Sequence, residues 1–64
     1  MVTYHTVFVE PSGKYYMYEL GVKYYVSLVR DLSPIGDEPT GEFVTGIGVS
    51  FPAIVKHDKN ESEI

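Results

Sequence analysis

The chain has 64 residues and a mass of 7.2 kDa, which leaves room for one small domain and no second core. It contains no cysteine, so disulfides and thiolate metal sites cannot stabilise it, and its 44% hydrophobic content argues against intrinsic disorder. Nine acidic residues against five basic ones give a net charge of −4, which disfavours general binding to nucleic acid or anionic lipid.

The sequence also carries no membrane or export signal that we can recognise. No apolar run approaches the roughly 18 residues that span a bilayer, and residues 1–5 lack the charged and apolar regions of a signal peptide. We therefore expect a soluble, cytoplasmic protein with no membrane partner.

The first predicted elements form a hairpin. Residues 2–10 are rich in β-branched and aromatic side chains, as in a strand, and Pro11 and Gly13 predict a type I turn with a G1 bulge. Glu10 then faces Lys14. The register that follows pairs Val9 with Tyr15, Phe8 with Tyr16, Val7 with Met17, Thr6 with Tyr18, His5 with Glu19 and Tyr4 with Leu20.

Beyond this hairpin, apolar residues occupy every even position. The series is Tyr16, Tyr18, Leu20, Val22, Tyr24, Val26 and Leu28. Together with Tyr4 and Phe8 it predicts a core face. Gly21 either closes a second hairpin between Tyr18 and Val22 or bends one long strand, and the pattern is compatible with both.

Two further regions follow in the chain. Residues 31–41 hold two prolines and two glycines, which predicts a long loop, and residues 42–51 alternate as a strand with glycines on one face. Pro52 interrupts this strand, and we expect residues 53–56 to form a short edge strand and residues 57–64 to form a disordered polar tail.

The predicted fold is a single all-β domain, residues 1–56, of four or five antiparallel strands in a curved sheet or small barrel, which homodimerisation could complete.

Catalysis and metal binding have little support in the sequence. A zinc site would need both His5 and His57 with carboxylates, whereas a plain cross-strand pair explains His5 and Glu19. The acids around the long loop do not have EF-hand spacing, so a solvated acidic loop is preferred to a calcium site. We predict no enzyme activity, no cofactor and no metal.

A second, odd-numbered face is also apolar. It carries Val7, Val9, Tyr15, Met17, Tyr25 and Val29. The barrel could cover this face, a second copy could cover it in a homodimer, or another protein could bind it, since tyrosine and methionine are enriched at interfaces. We predict a contact patch of Tyr15, Met17 and Tyr25, with Asp37 and Glu38 adding charge from the loop.

The predicted function is therefore non-catalytic protein binding, as in an accessory or inhibitor protein, with homodimerisation expected. The alternative is a small barrel of the OB or SH3-like kind that stacks single-stranded nucleic acid on Tyr15 and Tyr25 beside Lys14 and Lys23. The acidic net charge weakens that alternative, because no electrostatic funnel for phosphates is present. A protein that imitates nucleic acid and so blocks an enzyme that handles nucleic acid would be one form of this protein-binding function.

Overall fold

The computed structural model describes residues 2–58, which form five β-strands closed into a barrel. The strands are β1 (His5–Val9), β2 (Tyr15–Glu19), β3 (Val22–Ile35), β4 (Glu38–Thr45) and β5 (Ser50–His57). Consecutive strands pair antiparallel, and β1 and β5 pair in parallel to close the barrel. The predicted small all-β fold is confirmed, and the parallel closure is the feature that the sequence analysis did not anticipate.

The turn between β1 and β2 has the predicted geometry. The Glu10 amide donates to the carbonyl of Lys14 at 2.8 Å, and the Gly13 amide donates to the carbonyl of Glu10 at 2.8 Å. Gly13 has a φ of +97°, the left-handed conformation that a G1 bulge requires. This local chemistry fixes the register beside the turn.

Only the first two predicted pairs of this hairpin form. They are Val9 with Tyr15 and Phe8 with Tyr16. β1 pairs with β5 along its whole length, with Val7 opposite Val55 and His5 opposite Ala53, but its pairing with β2 stops at Phe8. The predicted pairs from Val7 and Met17 onward, including His5 with Glu19, are therefore wrong.

The β2–β3 connection is a two-residue turn. Glu19 pairs with Val22, and the loop residues Leu20 and Gly21 have φ values of +53° and +79°, as in a type I′ turn. A two-residue loop pairs odd positions of β2 with even positions of β3. The apolar residues at even positions therefore point to one face of the sheet in β2 and to the other face in β3.

The predicted core face was wrong for this reason. Each strand supplies one buried apolar side chain to the barrel interior: Val7, Met17, Val26, Phe43 and Ala53. Tyr15, Phe51 and Val55 pack against them. Of the even-numbered residues from 16 to 28, Tyr16 and Val26 are buried, whereas Tyr18, Leu20, Val22, Tyr24 and Leu28 are exposed.

The same change of face divides the predicted contact patch. Met17 is only 7% exposed inside the barrel, and Tyr15 is half-buried against its core. Tyr25 is exposed, with its hydroxyl bonded to Glu10 on the outer surface. The expectation that these three side chains share one exposed face was wrong.

Residues 31–41 are not a long loop. β3 continues to Ile35, a turn of Gly36 and Asp37 follows, and Glu38 pairs with Ile35 at the start of β4. The pairing slips by one residue between Leu32 and Ile35, which is a β-bulge. Bulges and strand ends accept proline, because the missing amide has no ladder partner there.

This bulge contains Pro34 and faces Pro39. The Thr40 hydroxyl donates to the carbonyl of Ser33 at 2.6 Å and so satisfies a backbone acceptor within the bulge. Thr40 itself is buried. Prolines that indicated a loop in the sequence are thus accommodated in a paired hairpin.

The predicted strand over residues 42–51 is in fact the hairpin that joins β4 and β5. The Gly48 amide donates to the carbonyl of Thr45 at 2.9 Å, and the Thr45 amide donates to the carbonyl of Val49 at 3.0 Å. Gly48 has a φ of +88°, so this turn repeats the geometry of the turn at Gly13. The predicted edge strand over residues 53–56 belongs to the longer β5, which closes the barrel.

The predicted boundary at residue 56 also moves. β5 runs through His57, and the Asp58 amide donates to the carbonyl of Val9 at 3.0 Å. His57 therefore lies in the barrel, and Asp58, just after β5, is hydrogen-bonded to β1. Residues 59–64 of the predicted tail lie outside the described residues.

Candidate functional site

An apolar groove opens at one end of the barrel. It consists of two adjoining cavities of about 380 and 190 Å³. Four residues line both cavities: Met17, Glu19, Thr45 and Ile47. Tyr24, Tyr25 and Gly46 complete the larger cavity, and His5, Val49 and Phe51 complete the smaller one. We call these ten residues the mouth groove.

The mouth groove results from the divergence of β1 from β2. β1 shares two residue pairs with β2 and five with β5. The end of the barrel near His5 therefore lacks hydrogen bonding between β1 and β2. Turns of an antiparallel meander alternate between the two ends. The β2–β3 and β4–β5 turns therefore lie at the same end as His5 and border the opening.

Two large apolar side chains stand exposed on these bordering turns. Leu20, which follows Glu19 directly, is 98% exposed, and Ile47 is 87% exposed. A left-handed backbone costs a non-glycine residue about 1–2 kcal/mol, and Leu20 carries that cost at a φ of +53°. An exposed leucine in a strained turn contributes nothing to the stability of the isolated barrel that we can identify.

Leu20→Asn is accordingly expected to stabilise the protein. Asparagine before glycine is a preferred type I′ turn sequence, so the free energy of unfolding should rise by about 0.5–1 kcal/mol. Urea unfolding followed by circular dichroism would measure this change. Leu20→Ala is the matched control, because alanine removes the apolar side chain without favouring the left-handed conformation, and it should leave stability nearly unchanged. A lower unfolding midpoint for Leu20→Asn would contradict the exposed position of Leu20.

Glu19 gives the mouth groove its negative charge. No lysine or arginine lines either cavity, and within residues 2–58 the Glu19 carboxylate has no ion pair or hydrogen bond. His5, on the wall of the smaller cavity, packs edge-on against Phe51 with ring centroids 5.2 Å apart. The groove is thus apolar with one unpaired carboxylate.

Apart from the mouth groove, a cluster of aromatic and charged side chains covers the outside of β2 and β3. Its members are Phe8, Tyr16, Tyr18, Tyr25, Lys23 and Glu10. The Nζ of Lys23 lies 4.3 Å from the ring centroid of Tyr16 and 5.1 Å from that of Tyr25. Lys23 also pairs with Glu10 at 3.3 Å. We call this set the outer tyrosine cluster, and its one ammonium group is already bound within it.

Hydrogen bonds shift the pKa values of Tyr16 and Glu10 in this cluster. The Tyr16 hydroxyl donates to Asp58 Oδ2 at 2.8 Å, and this bond to a carboxylate, with burial of the phenol, raises the pKa of Tyr16 to about 12. The hydroxyl of Tyr25, which donates to Glu10 at 3.0 Å, lowers the pKa of that carboxyl, and Lys23 adds to the effect. Both shifts mark contacts that stabilise the barrel wall.

The raised pKa of Tyr16 predicts a loss of stability in alkali. The folded state holds the phenolic proton more tightly than the unfolded chain, whose pKa is near 10. This contribution is complete below pH 10 and is lost as the pH rises from 10 to about 12. Urea midpoints at pH 8 and pH 11 should therefore differ more for the native chain than for Tyr16→Phe. Equal losses in the two proteins would exclude the Tyr16–Asp58 bond as the cause.

The structure separates the five residues predicted to bind a partner. Met17 lines both cavities and Tyr25 lines the larger one, whereas Tyr15 packs inside the barrel away from the opening. Asp37 and Glu38 lie at the opposite end, where Glu38 pairs with Lys56 at 2.8 Å. The predicted patch and the predicted acidic loop therefore do not form one surface.

Sequence analysis missed the rim of the mouth groove. Ile47 was assigned to a strand, and Leu20 was placed on the predicted core face with its position in a loop or a strand left open, because both fit an alternating pattern. The signal that could have identified them is an apolar residue beside glycine in a short turn, namely Leu20 before Gly21 and Ile47 between Gly46 and Gly48.

Comparisons with known proteins give no family and no relative. No protein-family model matches the chain, and neither a curated protein nor a solved structure is significantly similar to it. Across residues 2–58 there is no group of three or more acidic or histidine side chains placed to hold a metal ion. The same part of the chain has no helix that could cross a membrane.

Proposed function

We propose that this protein is a non-catalytic binding module that docks on a protein partner through the mouth groove. The exposure of Leu20 and Ile47 on two turns that border an apolar cavity is the observation that carries the proposal. Contiguous exposed apolar surface on a small protein marks interaction sites. Backbone strain at Leu20 points the same way, because strained residues cluster where function requires them.

The chemistry of the groove supports binding rather than catalysis. Its titratable side chains are Glu19, His5 and two tyrosines, and His5 contacts an aromatic ring instead of a nucleophile. General acid–base or nucleophilic catalysis needs a base within hydrogen-bond reach of a second reactive group. No such pair is found around the groove in the described residues.

The proposal can be tested by selecting peptides from a displayed random library on the immobilised native protein. Selected peptides should bind the native chain and lose at least tenfold in affinity for the double variant Leu20→Asn, Ile47→Asn. Ile35→Thr is the matched control, because it removes an exposed apolar residue at the opposite end of the barrel and should leave binding unchanged. Circular dichroism would establish that all variants are folded.

Two results would overturn the proposal. One is a library that yields no specific binder. The other is a set of binders that are equally sensitive to Ile35→Thr and to the double variant, which would place the contact outside the mouth groove.

Single-stranded nucleic acid binding is a weaker candidate. Lysine beside several tyrosine rings in the outer tyrosine cluster favours it, but Lys23 is paired with Glu10, and Tyr15 of the predicted platform packs inside the barrel. Titration with oligothymidine at low salt tests this function, since binding to phosphates is strongest there. No binding at low salt would exclude it.

A further inference from the structure

We propose that the mouth groove takes an extended peptide that adds as a strand to the open edge of β2 and carries a large apolar side chain two residues from an arginine or lysine. This inference rests on the proposed function and specifies the partner. Three features of the groove support it: a strand edge, an apolar cavity and an unpaired carboxylate.

The strand edge is the first feature. In the β2–β3 hairpin the pair next to the turn, Glu19 and Val22, is hydrogen-bonded, and bonded pairs then recur at every second residue. Met17 and Glu19 therefore direct their backbone groups to β3. The amide and carbonyl of Tyr18 face the other side, where pairing with β1 ends at Tyr16.

An added strand would place alternate side chains over the groove. Residues opposite Met17 and Glu19 share the inward face of these two residues, because paired residues in a sheet point to the same side. The position opposite Met17 enters the smaller cavity of about 190 Å³, which Met17 and Glu19 line together with His5 of β1. The position two residues away reaches Glu19, and the residue between them faces outward.

Charge decides which chain supplies the strand. Glu19 has no partner in the described part of the protein, and three of the four lysine and arginine residues described there are already in ion pairs. A second copy that docked by a two-fold axis would bring another Glu19 to the same opening. A basic residue from a different chain satisfies the carboxylate, so the occupant is a heterologous, basic and apolar segment.

The test uses acetylated and amidated pentapeptides of threonine with leucine and arginine at positions 2 and 4, in both orders, because the strand direction is open. Titration into the labelled full chain, followed by NMR, should move the Tyr18 amide and the Met17 methyl resonances. Citrulline in place of arginine is the neutral control, and we expect it to weaken binding about fivefold to tenfold. N-methylation of the residue that donates its amide to the Tyr18 carbonyl should weaken binding by a similar factor, because it removes a main-chain donor. That residue is the central threonine if the peptide adds antiparallel to β2 and the fourth residue if it adds parallel.

Charge exchange provides the second arm. Glu19→Lys should lose the arginine peptide and gain a peptide with glutamate at that position, which a merely structural role of Glu19 would not produce. The inference is overturned if neither peptide order binds, if citrulline binds equally, or if N-methylation has no effect. Sedimentation gives a further way to overturn it. If the protein is a dimer, if the peptides do not dissociate this dimer, and if the double variant Leu20→Asn, Ile47→Asn is monomeric, then a second copy of the chain fills the groove.

Failure of this inference can be told apart from failure of the proposed function. Library peptides that require Leu20 and Ile47 but lack a basic residue would keep the binding function and refute the charge assignment. Library peptides that ignore both residues would refute the proposed function itself.

Discussion

Phe43→Ala is expected to leave most of the protein unfolded at 25 °C. Phe43 is fully buried, and its ring lies 5.1 Å from that of Tyr15 and 6.4 Å from that of Phe51, measured between centroids. Truncating a buried phenylalanine to alanine costs about 3–5 kcal/mol. A domain below about 70 residues rarely gains more than about 3–5 kcal/mol from its core, so one such loss removes the whole margin.

Far-ultraviolet circular dichroism and the dispersion of the proton NMR spectrum would measure this loss directly. Phe8→Ala is the matched control, because Phe8 is a half-buried phenylalanine that stacks on Tyr16 outside the barrel. That variant should stay folded with a lower melting temperature. A folded Phe43→Ala protein with an unchanged melting temperature would show that the core does not depend on this ring.

Tyr15→Ser and Tyr25→Ser should have very different effects on stability. Tyr15 packs against the core, so its replacement should lower the free energy of unfolding by about 2–4 kcal/mol. Tyr25 is exposed and loses mainly its bond to Glu10, which should cost under about 1 kcal/mol. Urea unfolding of the two variants in parallel would measure the difference.

This pair of variants tests the change of face at the Leu20–Gly21 turn. If both substitutions destabilise the protein equally, the two tyrosines share an environment, as the sequence pattern indicated. If the asymmetry is observed, the interior of the barrel consists of odd-numbered residues in β2 and even-numbered residues in β3.

The sequence was sufficient where local chemistry decides the structure. Proline followed by glycine at Pro11 and Gly13 fixes the loop length, and the loop length fixes the two strand pairs beside it. No comparable signal exists at Gly21, because leucine is a poor residue for a left-handed turn position. One residue of difference in that loop reverses which side chains point inward, so the alternating pattern alone could not identify the core.

Two errors in strand assignment have a common physical cause. Pro34 and Pro39 indicate a loop only if the strands are regular, and a bulge makes room for them. Gly46 and Gly48 alternate with apolar residues through a tight turn, so the sequence of the turn resembled that of a strand. In both cases pairing between strands overrides the local preference of the residues.

The mouth groove could not be predicted from the sequence, for a different reason. It exists because β1 follows β5 along its whole length and pairs with β2 at only two residues, and the pairing with β5 joins residues far apart in the chain, such as His5 and Ala53. The sequence placed Met17 and Tyr25 off the predicted core face, and both residues line the groove. It could not indicate that Glu19 would lie beside them with no counterion among residues 2–58.

The parallel pairing of β1 with β5 also constrains the order of folding. Each antiparallel hairpin brings together residues close in sequence, whereas His5 meets Ala53 only after the whole chain between them has been ordered. Closing a loop of that length carries a large entropic cost. Until β5 is synthesised and docked, β1 and β4 both present free strand edges, so the nascent chain is most exposed to edge-to-edge aggregation just before its last strand arrives.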